Sequence, residues 1–215
     1  MDRQKDFFLD REDALNHLIE KLEGVNFYNT MVLSISTDAM SLAQGVANHF
    51  ELPLEHLFIQ SIYAPENPDC TIGIVSELMD VVFDDELLRA FDISVDYVYA
   101  KAQESYEKKI LPLARKMRLG EPITPFAGKN ILIVDEGVET GFSIEVAIKT
   151  CINHGCKSAS IATPVLSSDV ESYLLRFCDC IYSVIRPEYF VSTNYYYKEL
   201  QTQRTDFLRR ENFLV

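Results

Sequence analysis

An α/β fold with a mostly parallel, twisted sheet flanked by helices is predicted from three observations. Short apolar runs at 31–35, 57–62, 131–134, 158–163 and 180–185 alternate with amphipathic stretches of helical length, the order that builds βαβ units. The run at 131–134, Ile-Leu-Ile-Val, has no polar residue to alternate with, as in a strand buried on both faces. With 215 residues and 47% hydrophobic content, the chain can bury a full core as one domain spanning 1–215.

Each element follows in order. Asp10, Arg11, Glu12 and Asp13 begin a helix with acids in its first turn, and Ala14, Leu15, Leu18, Ile19 and Leu22 form its apolar stripe. Residues 31–35 make the first strand, Ser36, Thr37 and Asp38 a turn or N-cap, and 40–50 a helix. A second strand takes 57–62. The proline-rich stretch 64–69 is a turn-rich connection into a β-pair at 70–75 and 79–83.

From 84 to about 119 the pattern is helical, with Lys101, Glu104, Glu107 and Lys108 on one charged face. The stretch 84–128 is expected to form a hood or insertion within the domain, its last part a loop holding Pro122, Pro125 and Gly128. After the central strand come a helix at 144–151, a strand at 158–163, a turn at Pro164, a helix at 169–177 and a strand at 180–185. The tail carries Tyr195, Tyr196 and Tyr197, then Arg204, Arg209 and Arg210. Its aromatics read as core or interface, and the tail and hood are the two surfaces expected to support a homodimer.

Composition excludes several classes of function. Thirty-three acids against 20 bases give a formal net charge of −13, a poor match to a nucleic-acid backbone, so no nucleic-acid partner is expected. No apolar run approaches the ~20 residues that span a bilayer, and the opening Met-Asp-Arg-Gln-Lys-Asp lacks a secretory signal's hydrophobic region. A cytoplasmic protein without a membrane partner is expected. Cys70, Cys151, Cys156, Cys178 and Cys180 are odd in number and read as thiols. Cys178 and Cys180 have no second Cys/His pair at ligand spacing, so no protein metal site is expected. His154 stands alone beside Gly155, and His17, His49 and His56 lie in separate segments and read as surface or helix-end residues.

The chemistry concentrates after the central strand. Asp135 and Glu136 leave its carboxyl end, and Glu139, Thr140, Gly141, Phe142 and Ser143 open the next helix. Strand, acid pair, hydroxyl-and-glycine loop and helix, in that order, put N–H groups and hydroxyls where a phosphate monoester can sit. A structural strand-to-helix turn, with the acids as ordinary caps, is the alternative.

Residues 134–143, Val-Asp-Glu-Gly-Val-Glu-Thr-Gly-Phe-Ser, resemble without gaps the phosphoribosyl-pyrophosphate signature of type I phosphoribosyltransferases: apolar residues, two acids, then Thr-Gly-x-Thr/Ser. The resemblance covers about 7–205 and points to a group of bacterial phosphoribosyltransferases of unassigned substrate. It is also carried by Phe8-Leu9-Asp10-Arg11-Glu12-Asp13-Ala14, by Ala64-Pro65-Glu66-Asn67-Pro68 with Ile72-Gly73, and by Tyr196-Tyr197-Lys198-Glu199-Leu200-Gln201. It implies a small-molecule phosphoribosyl ligand. Asp135 and Glu136 would be the catalytic acids, contacting the ribose hydroxyls and steadying an oxocarbenium-like sugar. Residues Glu139, Thr140, Gly141, Phe142 and Ser143 would hold the 5′-phosphate, and Mg²⁺ would couple the ribose to pyrophosphate.

Three departures bear on what such a site does. Ser36, Thr37, Asp38 and Ala39 stand where the related proteins carry a Pro-Arg-Gly-Gly turn around the pyrophosphate. A carboxylate there, ~4 Å from a unit negative charge, repels it by about 4 kcal/mol at an effective dielectric of 20, roughly a thousandfold in affinity. A bridging Mg²⁺ would reverse that sign. Gln60-Ser61 replaces an Arg-Lys pair, and Glu139 replaces a small residue. Lys108, Lys109, Arg115, Lys116 and Arg118 either supply cations from the hood or form a solvated helix face. Two functions therefore stay open. One is Mg²⁺-dependent transfer of a 5-phosphoribosyl group to a nitrogenous acceptor; the other is a catalytically silent relative acting as a nucleotide or phosphoribosyl sensor or a protein-interaction module.

Overall fold

The structure, a computed structural model, describes residues 7–199; the basic residues Arg204, Arg209 and Arg210 lie outside that range. The first helix, α1 (Arg11–Leu22), is set by Asp10, whose carboxylate accepts the Asp13 N–H at 2.9 Å while Asp13 reaches back to the Leu9 N–H at 2.8 Å. These reciprocal caps satisfy two donors of the kind a helix start leaves bare. Then follow β1 (Thr30–Ser34), α2 (Met40–His49) and β2 (Leu54–His56). With β6 (Asn130–Val134), β7 (Ser158–Val165) and β8 (Cys180–Ile185) they form a five-stranded sheet in the order β2-β1-β6-β7-β8, parallel throughout.

The central run behaves as its composition requires. Ile131 and Ile133 pack toward α6 (Phe142–Asn153) and α7 (Ser168–Leu174) with Ile144, Ile148 and Leu174. Leu132 and Val134 point the other way, onto Leu18, Leu22 and Val46 of α1 and α2. Alternate residues of one strand thus serve two cores, each large side chain contributing about 1.5–3 kcal/mol on burial.

A second, antiparallel sheet consists of β3 (Ile59–Ala64), β4 (Asn67–Ser76) and β5 (Val81–Phe83). One face packs on α6 through Ile74, Val82 and Val146. The other carries α3 (Asp85–Ala90), α4 (Val95–Ser105), a π-helical turn at Tyr106–Ile110 and α5 (Leu111–Met117), with Ile62, Ile72, Val98 and Ile110 between them. The helical part of the expected hood, 85–117, therefore lies over this sheet, whereas the loop after it packs on the main core through Ile123 and Phe126. β5 ends at Phe83, paired with Gly73, whereas β3 and β4 run on to a hairpin at Pro65 and Glu66.

The structure corrects several boundaries. The strand expected at 57–62 is two strands in two sheets: β2 stops at His56, and β3 starts at Ile59. The Leu57 N–H still bonds to the Ser34 carbonyl at 2.9 Å, but the Phe58 carbonyl already accepts from Glu77 at 2.8 Å, so the sheet change falls inside an unbroken apolar run. Met79, expected in a strand, has φ 66° in the turn that joins Ser76 to Asp80. Pro164 does not end its strand. β6 leaves the ladder after Val134, paired with Ala162, while Thr163 and Val165 stay paired with β8, so the N–H that proline lacks faces a vacated position. His56, expected at a surface, is buried at the end of β2 with its Nδ1 unpartnered, and burial holds its pKa down at about 4, so the ring is neutral. All five cysteines are free thiols. Among the described residues no helix is long and apolar enough to cross a membrane.

Candidate functional site

Parallel α/β sheets gather ligands beyond the carboxyl ends of their strands, and here three segments meet at that edge. The first is the loop from β6 to α6. Val138 is pinned to the neighbouring strand, its N–H bonding to the Val165 carbonyl and its carbonyl accepting from Ser167, both at 2.9 Å. Glu139 and Thr140 then project outward, exposed. Gly141 takes φ 78°, where a Cβ would sit 2.7 Å from Val170 Cγ1, so both conformation and packing require glycine. It is the N-cap of α6 and offers no side chain to its N–H groups. Among the described residues, the N–H groups of 139–143 make no hydrogen bond outside the helix. The exposed Thr140, the half-buried Ser143 and this free helix start give the loop the donors an anion needs.

The acid pair is the second segment. Asp135 keeps a little accessible surface, yet protein atoms surround it on nearly all sides, and burial pushes its carboxyl up to about 6. The Glu136 N–H and the Ser36 hydroxyl oppose that rise, and the charges of Glu136 and Asp38 add to it. Glu136 is buried, and its carboxyl is also raised, by burial first and by Asp38, against the stabilising guanidinium of Arg11. Arg11 Nε donates to Glu136 Oε1 at 2.5 Å and Nη2 to Oε2 at 3.3 Å.

The third segment is the turn at Ser36, Thr37, Asp38 and Ala39. Ser36 Oγ donates to Asp135 Oδ1 and accepts the Ala39 N–H, both at 3.1 Å. The Met40 N–H turns to the Thr37 carbonyl at 3.4 Å. The N–H groups of Ala39 and of Met40, the first residue of α2, are thus spent on the turn, while Thr37 and Asp38 are exposed. Asp38 is near enough to raise both Asp135 and Glu136, so this wall of the site carries negative charge.

The hood cations divide. Arg118 is consumed internally: it pairs with Glu77 and Glu55, the latter at 3.2 Å, donates to the His56 carbonyl, and lies 5.2 Å from the centre of the Phe58 ring. Lys108 pairs with Glu104 at 2.8 Å, which also holds Lys101. Lys101, Lys108 and Lys109 line a cleft of about 330 Å³ between α4 and the β3–β4 hairpin. A second cleft, about 390 Å³, runs from Thr140 and Phe142 to Phe83 and Tyr173, with Asp84, Asp85, Glu145 and Asp169 in its walls.

The sequence-predicted acids, the loop 139–143 and the turn 36–39 therefore sit along one sheet edge. Arg11 and Tyr197, whose hydroxyl donates to the Glu136 carbonyl at 2.9 Å, complete the surroundings and were not among the candidates. Arg11 reads as one more first-turn charge, and nothing in its spacing signals a partner 125 residues away.

A sheet of this topology with an acid pair and a free helix start at its carboxyl edge defines a phosphoribosyltransferase-like α/β protein. The Phosphoribosyl transferase domain family matches residues 7–198, and the chain belongs to that family. It is 25% identical over 203 residues to "Putative phosphoribosyl transferase MT0597" of Mycobacterium tuberculosis, covering 93% of this chain and 44% of the relative. The chain thus spans less than half the length of the curated relatives it matches. Among solved structures, TT1426 from Thermus thermophilus superposes with a TM-score of 0.77 at 24% identity, covering 94% of this chain and 95% of that one. The purine phosphoribosyltransferase from Pyrococcus horikoshii superposes with a TM-score of 0.50 at 15% identity, over 90% and 91% of the two chains. Both likenesses establish the fold.

Proposed function

We propose that the protein binds a small molecule carrying a 5-phosphoribosyl group. The 5′-phosphate would rest on the N–H and hydroxyl groups of Glu139, Thr140, Gly141, Phe142 and Ser143, and the sugar would lie at the carboxyl end of β6, where the acid pair begins. The observation that carries this reading is the uncapped start of α6 at Gly141, beside an acid with a perturbed proton affinity on the same edge.

Mg²⁺-dependent transfer to a nitrogenous acceptor is a second reading, supported by the charge of Asp38 acting on Asp135. Among the described residues no cluster of three or more His, Cys, Asp or Glu could hold a metal. Mg²⁺ needs only one or two carboxylates beside substrate phosphates and water, and Asp38 and Asp135 fit that requirement. Bound there, the ion would neutralise departing pyrophosphate, which the turn 36–39 has no cation to do. Without it, Asp38 repels the leaving group and the protein acts as a binder.

Calorimetry with ribose 5-phosphate, and with phosphoribosyl pyrophosphate in the presence and absence of Mg²⁺, separates these readings. Binding of ribose 5-phosphate supports the first. Tighter binding of the pyrophosphate with Mg²⁺ supports the second, and no binding of either at millimolar concentration rejects both.

A further inference from the structure

The family signature treats the two acids as equals, but their surroundings are opposite. Both oxygens of Glu136 are taken by the Arg11 guanidinium, at 2.5 and 3.3 Å, and the paired side chains keep only 7% and 16% of their surface. A planar fork on a buried carboxylate is among the strongest side-chain pairings. A ligand entering between them would trade this charged pairing for neutral sugar hydroxyls.

This contact is braced from both ends of the described chain. The Phe8 N–H bonds to the Tyr196 carbonyl at 2.7 Å, and the N–H groups of Lys198 and Glu199 bond to the Phe8 and Leu9 carbonyls at 2.9 Å. The resulting strap places Arg11 two residues past its pairing. It also carries Tyr197, whose hydroxyl holds the Glu136 carbonyl, and Thr193, whose Oγ1 would lie 2.6 Å from any Cβ added to Gly137. The Glu136 backbone is therefore fixed by its side chain, its carbonyl and its neighbour.

That fixed backbone aims the Glu136 N–H at its neighbour, where it donates to Asp135 Oδ1 at 3.0 Å. The Ser36 hydroxyl donates to the same oxygen. Both donors fall on Oδ1, and among the described residues Oδ2 carries no hydrogen bond. We infer that the acid pair divides its work: Asp135 alone meets the sugar, and Arg11, acting through Glu136, is the positioning residue that orients it. This rests on the phosphoribosyl-binding reading above.

Calorimetry on the full chain tests it with two probes, inorganic phosphate and ribose 5-phosphate, because a general loosening of the fold weakens both together. Asp135→Asn should bind ribose 5-phosphate no tighter than phosphate. Arg11→Gln should lose about tenfold or more in ribose 5-phosphate affinity with phosphate affinity unchanged, and Arg11→Gln/Glu136→Gln, a neutral hydrogen-bonding pair, should recover most of that loss. Thermal melts of each variant report folding, and the double variant keeps the comparison valid if Arg11→Gln is unstable. Unchanged ribose 5-phosphate affinity in Arg11→Gln overturns the inference, as does a double variant as weak as Asp135→Asn. A wild-type protein that binds neither probe rejects the phosphoribosyl reading itself; one that binds phosphate as tightly as ribose 5-phosphate rejects the role given to Asp135.

Discussion

The hydroxyl of Ser36 donates to Asp135 Oδ1 at 3.1 Å across 99 residues of sequence, joining the turn after β1 to the acid after β6. The same oxygen of Ser36 accepts the Ala39 N–H and so helps start α2, whose N-cap, Ala39, has no side-chain bond of its own to offer. One serine thus serves as helix cap and as support for a carboxylate. Ser36→Ala should lower stability by about 1 kcal/mol, the usual cost of a lost cap. Urea denaturation at neutral pH checks this, and an unchanged midpoint would show that the bonds contribute nothing net.

Asp135 makes stability depend on pH in an unusual direction for an acid. Its carboxyl, ordinarily near 3.8, is pushed up to about 6 by burial, so the folded protein holds the proton more tightly than the unfolded chain. That contribution is fully present below pH 3.8 and is lost as pH rises through about 6, on the order of 2–3 kcal/mol. Glu136, also raised, acts with the same sign. Glu55 is lowered by backbone hydrogen bonds and Arg118 against its own burial, and acts oppositely, its contribution lost as pH falls. Comparing wild type with Asp135→Asn isolates the first effect. The variant should gain on wild type by that amount between about pH 4 and pH 7, whereas a constant difference would contradict the shift.

Gly141 combines a left-handed backbone with a tight contact, φ 78° and 2.7 Å from a built Cβ to Val170 Cγ1. Gly141→Ala should therefore cost about 2–3 kcal/mol, from backbone strain and overpacking together. It should also weaken phosphate binding, since the N–H groups of 139–143 would no longer converge. Denaturation and phosphate calorimetry on the same preparation check the two effects.

Arg118 ties the end of α5 to β2 and to the turn after β4 through Glu55, Glu77 and the His56 carbonyl. Arg118→Ala leaves the buried carboxylate of Glu55 and the half-buried one of Glu77 without their cation, which should cost about 3–5 kcal/mol. In urea denaturation, a loss below about 1 kcal/mol would mean that water replaces the guanidinium.

The sheet was legible because its signals are local. Ile131, Leu132, Ile133 and Val134 announce a strand buried on both faces, and Asp10 and Gly141 mark two helix starts through their own chemistry. The change of sheet between His56 and Ile59 was hidden because the run Leu57, Phe58, Ile59 stays apolar while its partner switches from Ser34 to Glu77. Arg118 illustrates the same limit. Beside Lys116 on a helical face it reads as a solvated charge, and only the fold reveals Glu55 and Glu77 around it. The candidate site divides likewise: its acids and loop form one contiguous motif, but Arg11 and Tyr197 arrive from opposite ends of the described chain.

The central claim, that the loop 139–143 and Asp135 receive a 5-phosphoribosyl group, is tested most directly by amide NMR of the ¹⁵N-labelled chain titrated with ribose 5-phosphate. The proposed site predicts saturable shifts concentrated at the N–H groups of residues 139–143 and of Glu136, and their loss in Gly141→Ala. No shift at millimolar ligand, or shifts confined to the lysine-lined cleft at Lys101 and Lys108, would contradict it.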